Sequence, residues 1–102
     1  MARLPFVDAH TAGVDTELAA AMAQRRGGTL LNLDRLLLHS TPIAHGWNAY
    51  MGAIRSGGVL DGALRELVIV LVAVLNRAPY ESLHHAPVAK QLGVPQAKLD
   101  AL

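Results

Sequence analysis

The sequence predicts an all-α fold, a helical bundle of about five to six helices. Apolar residues recur at helical spacing in most segments, and no two alternating segments joined by a turn signal predict a β-hairpin. The run from Leu67 to Leu75 contains no polar residue. Because it is much shorter than the roughly 20 residues needed to cross a bilayer, it predicts a buried helix. A strand is the local competitor, since residues 68–75 are rich in β-branched side chains, but the whole segment is too long for an ordinary strand and contains no turn signal.

The helix boundaries are set by capping residues and helix breakers. Residues 1–13 predict an irregular arm that Phe6 and Val7 anchor to the core. The expected helices are 15–26, 32–39, 42–54 or 42–55, 62–77, 79–92, and a sixth that Pro95 opens. The expected N-caps are Asp15, Asn32 and Asp61, and the expected helix ends are Gly27-Gly28, Ser56-Gly57-Gly58 and Gly93.

Two of these helices carry marked apolar patterns. The third is expected to bury a single stripe, formed by Ile43, Trp47, Tyr50, Met51 and Ile54. The fourth is apolar nearly all round, so we expect it to be the central helix. The residues expected to share one face of that helix are Glu66, Val70, Ala73 and Arg77.

Composition suggests one domain over 1–102 that assembles into a homo-oligomer. Of the 102 residues, 52% are hydrophobic, whereas a domain of this size buries only about two-thirds of its unfolded surface. The excess apolar surface therefore predicts either a homo-oligomer, based on a dimer, trimer or hexamer, or a chain that lacks part of its natural partner surface.

Charge and residue types exclude several kinds of partner. The formal net charge is +1 and aromatic residues make up 4%, so no nucleic-acid-binding surface is predicted. The chain has no cysteine, which excludes disulfides, a CxxC redox pair and a thiolate zinc site. Without a signal-peptide or membrane-spanning pattern, a cytoplasmic location with no membrane partner is expected.

The fifth helix carries a candidate acid–base pair. Glu81 and His85 are four residues apart and share a helix face. An ionised Glu81 would orient the histidine and fix its tautomer. His84 competes for this role, since it lies three residues after Glu81 and four after Tyr80. The alternative is an ordinary helix-stabilising pair worth about 0.2–0.5 kcal/mol.

Glu66 is the candidate on the fourth helix, beside the small Ala73. The alternative interpretation is that Arg65 and Glu66 form only a solvated first turn. No histidine spacing predicts a metal site.

Several segments together form a more specific pattern. They are Arg65-Glu66-Leu67-Val68-Ile69, Val72-Ala73, Ala78-Pro79-Tyr80-Glu81-Ser82-Leu83-His84-His85, Ala89 and Gly93, with Leu31-Asn32-Leu33-Asp34-Arg35 and Leu38-His39-Ser40-Thr41-Pro42 upstream. From about Leu30 to its end the chain resembles the carboxymuconolactone decarboxylase and alkylhydroperoxidase D family, in its cysteine-free decarboxylase-type branch.

The resemblance implies which residues carry chemistry. In the peroxidase branch a glutamate precedes a CxxC pair, and a histidine follows four residues after the second cysteine. Glu66 and His85 match these two residues, while Ala78 and Glu81 occupy the cysteine positions. A thiol peroxidase cycle needs a nucleophilic and a resolving thiol, which this chain lacks. The offset from Glu66 also favours His85 over His84.

Two departures from the family pattern stand out. Family members of this type usually have a tryptophan where this chain has Ser82, and they usually continue well beyond the position of Leu102. We therefore expect either a C-terminally incomplete domain or a short member completed by other chains.

The implied activity is that of a cofactor-independent acid–base lyase that decarboxylates a small carboxylated lactone or related cyclic acid. In this hypothesis His85 transfers the proton, Glu66 holds its other ring nitrogen or shares the proton relay, and Glu81 tunes the site or contacts the substrate. The expected substrate-binding residues are Arg77, Tyr80 and His84. No metal or cofactor is expected. The alternative is a non-catalytic helical oligomerisation module that keeps the fold, and a peroxidase-like protein without the thiol pair is less favoured.

Overall fold

The computed structural model describes residues 3–102, and within that range every regular element is helical. The elements are α1 (Thr16–Arg25), α2 (Asn32–Leu37), α3 (Thr41–Gly52), α4 (Gly62–Leu75), α5 (Pro79–Gln91) and α6 (Gln96–Asp100). A π-helical turn, Ala53–Gly57, extends α3. The all-α prediction is confirmed. The described residues form two compact units, here named the N-terminal unit, which ends at Gly58, and the C-terminal unit, Val59–Leu102.

Most of the expected caps are present. Asp15 accepts a hydrogen bond from the backbone N–H of Leu18 at 3.0 Å, and Asp61 accepts one from Leu64 at 3.1 Å. The expectation that Asn32 caps α2 is wrong. The N-cap is Leu31, whose N–H donates to Asp34 at 2.9 Å, so the acid in the first turn takes over the capping role.

Three helices end in the same way, with a residue of positive φ just after the C-cap. Gly27 and Gly93 occupy this position after α1 and α5, with φ of 94° and 98°. After α4 it is held by Arg77, with φ of 53°. The prediction that α4 reaches Arg77 is therefore wrong, because the helix ends at Leu75.

The core of the N-terminal unit lies between the arm, α1, α2 and α3. Its buried residues are Val7, Leu18, Ala19, Met22, Leu38 and Ala44. The arm is tied to α2, because the Val7 N–H donates to the carbonyl of Arg35 at 3.4 Å and His39 Nε2 donates to that of Pro5 at 2.7 Å. The predicted anchoring is confirmed for Val7. Phe6 is exposed instead, with the Arg35 guanidinium 5.1 Å from its ring centre.

The apolar stripe predicted on α3 does not coincide with the face that the helix buries. Ala44 is fully buried, with Trp47 and Met51 half-buried beyond it. Ile43 and Tyr50 are exposed. The small Ala44 allows close packing against α1 and α2, and that packing sets the inward face.

The C-terminal unit is built on α4 and α5. A connection of only three residues, 76–78, places the two helices side by side and antiparallel. The prediction that α4 is a buried helix is confirmed only for one face, that of Glu66, Val70 and Ala73, and the other sides of α4 are not buried. Within residues 3–102, no helix combines the length and apolarity that crossing a membrane requires.

Candidate active site

Small side chains let α4 and α5 approach closely. Ala73 on α4 and Ala89 on α5 are buried, and neither projects beyond its Cβ. Glu66 lies two turns before Ala73 on the same α4 face and is fully buried as well. A carboxylate that has lost its water must be compensated by donors, so its partners on α5 become decisive.

The principal partner of Glu66 is His85. His85 Nδ1 donates to Glu66 Oε2 at 2.6 Å, a short, charge-assisted distance. The His85 side chain is 15% exposed. With Glu66 as a carboxylate, which only accepts hydrogen bonds, the ring hydrogen in this contact is on Nδ1. Nε2 is then the nitrogen that is available for proton exchange.

Glu81 stands on the other side of the ring. Its Oε2 lies 3.5 Å from His85 Nε2, one helical turn earlier on α5, and its side chain is 45% exposed. One imidazole therefore lies between a buried carboxylate and a carboxylate in contact with solvent. We call Glu66, His85 and Glu81 the relay.

Arg65 also contacts the relay. Its Nε lies 3.2 Å from Glu66 Oε1, the oxygen that does not bond to His85. Sequence reasoning missed this residue, because adjacent helix positions point about 100° apart and are not expected to meet. The Arg-Glu pair at the start of an apolar run was the available signal.

An apolar groove of about 330 Å³ leads to the relay. Its lining residues are Val68, Ile69, Val72, Ala73, Asn76, Ala78 and Glu81. Glu81 thus belongs both to the groove wall and to the relay. The volume falls at the small end of the range for small-molecule sites, about 300–1,000 Å³.

The three residues expected to bind substrate lie outside the relay. The rings of Tyr80 and His84 contact each other, with centroids 4.4 Å apart. Arg77 is exposed and lies between Asn76 and Ala78, which both line the groove. Their roles remain predictions.

The arrangement is suited to moving a proton. Glu66 is buried and fixes the orientation of the imidazole, while Glu81 connects Nε2 to solvent. In the described part of the chain, no group of three His, Asp or Glu side chains has an arrangement that could hold a metal ion.

The residues of the relay lie within a segment that matches a known protein family. A sequence model of the carboxymuconolactone decarboxylase family matches residues 41–102. The match includes α3 to α6, and with them Arg65 and the relay. No curated protein and no solved structure matched the chain.

Proposed function

Since this chain belongs to the carboxymuconolactone decarboxylase family, we propose that it is a cofactor-independent acid–base lyase. The proposed substrate is a small carboxylated lactone or a related cyclic acid. The observation that carries the proposal is the 2.6 Å contact between His85 Nδ1 and the buried Glu66, which turns Nε2 toward Glu81.

The proposed reaction is decarboxylation. The bond between the carboxylate and a ring carbon breaks, carbon dioxide leaves, and the bonding electron pair enters the unsaturated ring as an extended enolate. A proton then adds to a ring carbon to give the enol-lactone. The enzyme has to stabilise the enolate and deliver that proton.

Each relay residue has a distinct part in this proposal. His85 donates the proton from Nε2. Glu66 holds Nδ1, so that the ring keeps one orientation throughout. Glu81 is accessible to solvent and returns a proton to His85 after each turnover. A proton-transfer group in this position contributes about 10²–10⁴-fold to a rate.

The groove provides an apolar environment for the reaction. Val68, Ile69 and Val72 line it with hydrocarbon, and an apolar wall strengthens electrostatic contacts with a charged substrate. We further propose that Arg77 binds a substrate carboxylate, and that Tyr80 and His84 contribute contacts. An Arg–carboxylate pair is a strong, directional contact.

Turnover of carboxymuconolactone, followed by ultraviolet absorbance, tests the proposal. His85→Ala is expected to lower kcat at least about 100-fold. His45→Ala is the matched control, because His45 is an exposed histidine of α3 outside the relay, and it should retain wild-type turnover. Equal rates in wild type and His85→Ala would remove the relay from the mechanism. An inactive wild type would exclude this lactone as substrate.

A second function, a non-catalytic oligomerisation module, is favoured by the outer face of α4. Leu64, Val68, Leu71 and Leu75 recur at i, i+4, i+7 and i+11 and are between 38% and 72% exposed. Such a stripe typically packs against another helix. This face also supports the proposal that the active protein is a homo-oligomer.

Light scattering after size-exclusion chromatography tests the assembly. Wild type is expected to be an oligomer and Leu71→Glu a smaller species, while Lys98→Glu, with its exposed position on α6, should match wild type. A wild-type monomer would contradict the assembly. A thiol peroxidase is not proposed, since the chain contains no cysteine.

A further inference from the structure

We propose that Arg65 is a positioning residue of this site. Its guanidinium keeps Glu66 in the carboxylate form, so that the exchangeable proton resides at His85 Nε2 and not on Glu66. The inference rests on the proposed function, because it adds a member to the same relay.

The two oxygens of Glu66 have different partners. Oε2 accepts from His85 at 2.6 Å, and Oε1 lies 3.2 Å from Arg65 Nε. The side chain of Glu66 is fully buried and that of Arg65 is 16% exposed. In such surroundings water screens the charge of Arg65 only weakly, so that charge acts strongly on the carboxylate.

Helix stability does not account for this placement of Arg65. It is the fourth residue of α4, and a cation near a helix N-terminus opposes the helix dipole. Its Nη2 lies only 3.6 Å from where a Cβ on Gly62 would stand, so the guanidinium lies back over the helix start. The position is unfavourable for the helix and favourable for Glu66.

The charge of Arg65 limits the groups on which a proton can reside. Without Arg65, Glu66 and Glu81 are two carboxylates on either side of one imidazole, and a proton can reside on either of them or on the ring. A guanidinium does not deprotonate in proteins, so Arg65 neutralises Glu66 permanently. The groups facing His85 are then a fixed ion pair from α4 and Glu81 from α5, with His84 as its neighbour in sequence.

An NMR titration of histidine labelled with ¹⁵N, without substrate, tests this role. His85→Gln identifies the His85 signals among the five histidines. Without Arg65, Glu66 can take up a proton and donate it to Nδ1, so Arg65→Met should convert the pure Nδ1–H tautomer of His85 into a mixture of Nδ1–H and Nε2–H tautomers. Arg65→Lys retains the charge and should keep the pure Nδ1–H tautomer. Lys98→Met removes an exposed lysine of the same unit and should also keep it.

The possible results distinguish failure of the positioning role of Arg65 from failure of the lyase proposal. A folded Arg65→Met protein that keeps the pure Nδ1–H tautomer of His85 would overturn the positioning role. If Arg65→Met does not fold, Arg65→Gln decides, because it also removes the charge: a mixture of Nδ1–H and Nε2–H tautomers supports the role, and retention of the pure Nδ1–H tautomer overturns it. An inactive wild type whose His85 tautomer still responds to the loss of the Arg65 charge would remove the lyase and leave the role of Arg65 standing. In an active protein, Arg65→Met should lower kcat more than Arg65→Lys does.

Discussion

Each of the two units buries one carboxylate completely, and the two carboxylates have different kinds of donor. In the N-terminal unit, Asp34 accepts two hydrogen bonds from the Arg26 guanidinium, both at 3.0 Å, and one from the N–H of Leu31 at 2.9 Å. In the C-terminal unit, the short partner of Glu66 is the imidazole of His85. Burial is equal, at 0% exposure.

Both carboxylates contact a guanidinium, but only Glu66 also bonds to a donor that can release a proton. A guanidinium and a backbone N–H do not release a proton near neutral pH, so the contacts of Asp34 serve to join α1 to α2. An imidazole can titrate in that range. Equal burial therefore gives a structural ion pair, Asp34–Arg26, in the N-terminal unit and a candidate proton relay around Glu66 in the C-terminal unit.

The largest expected effect tests the structural side of this comparison. Asp34→Ala leaves the mostly buried Arg26 without its partner, and losses of about 3–5 kcal/mol are typical when one member of a buried pair is removed. Because the Arg26 side chain retains 16% exposure, we expect about 3 kcal/mol. Urea unfolding followed by circular dichroism measures it. A loss below about 1 kcal/mol, the size expected for an exposed pair, would contradict the structural assignment.

The second prediction tests the chemical side. Glu66→Gln keeps the shape and leaves an amide oxygen to accept from His85 Nδ1, but its amide nitrogen then faces the Arg65 N–H and that contact is lost. The free energy of unfolding should therefore fall by about 2 kcal/mol. Turnover should fall about 10–100-fold, the range seen when the partner that orients a functional histidine is lost. Both are measured on one preparation. A stability loss as large as that of Asp34→Ala, with unchanged turnover, would abolish the distinction between the two carboxylates.

The third prediction concerns the strained arginine beside the groove. Arg77 holds the left-handed position that Gly27 and Gly93 hold elsewhere, with its N–H bonded to the carbonyl of Val74 at 3.1 Å. Arg77→Gly relieves a non-glycine residue of positive φ and should stabilise the protein by about 0.5–1 kcal/mol.

The same variant should raise KM if Arg77 binds the substrate carboxylate. Thermal unfolding and steady-state kinetics separate the two effects. A more stable protein with unchanged KM would remove Arg77 from substrate binding.

The smallest expected effect comes from an exposed carboxylate. The N–H of His10 donates to Asp8 at 2.8 Å and, with a smaller contribution from the Thr11 hydroxyl, lowers the pKa of Asp8 below its usual value. A carboxyl whose pKa is lower in the folded chain stabilises it above the pKa of the unfolded chain. That contribution disappears as the pH falls through the folded value.

Asp8→Asn should therefore unfold at the same urea concentration as wild type in strong acid, and slightly earlier near neutral pH. Unfolding midpoints measured from about pH 7 to pH 2 test this order. A variant that is less stable than wild type only in acid would reverse the sign and contradict the account.

Local patterns in the sequence predicted much of this molecule. Asp15 and Asp61 mark helix starts and Gly27 and Gly93 mark helix ends, because capping depends on residues within one turn. The spacing of Glu81 and His85 could be recognised for the same reason. The joining of Glu66 to His85 was expected only from the family offset, since no local rule links residues 19 positions apart.

The packing between helices determined which helix faces are buried and which side chains meet, and local sequence patterns did not predict these features. The face that α3 buries depends on its close contacts through Ala44, and the exposed side of α4 depends on how much of it α5 covers. The contact of Arg65 with Glu66 depends on an arginine that bends around its own helix. The sequence by itself determined that this is an all-α chain with a titratable pair on its fifth helix. Only the tertiary structure decided that Asp34 pairs with Arg26 and that Glu66 bonds to His85. The reason is that the donor that reaches a buried acid depends on which helices pack together.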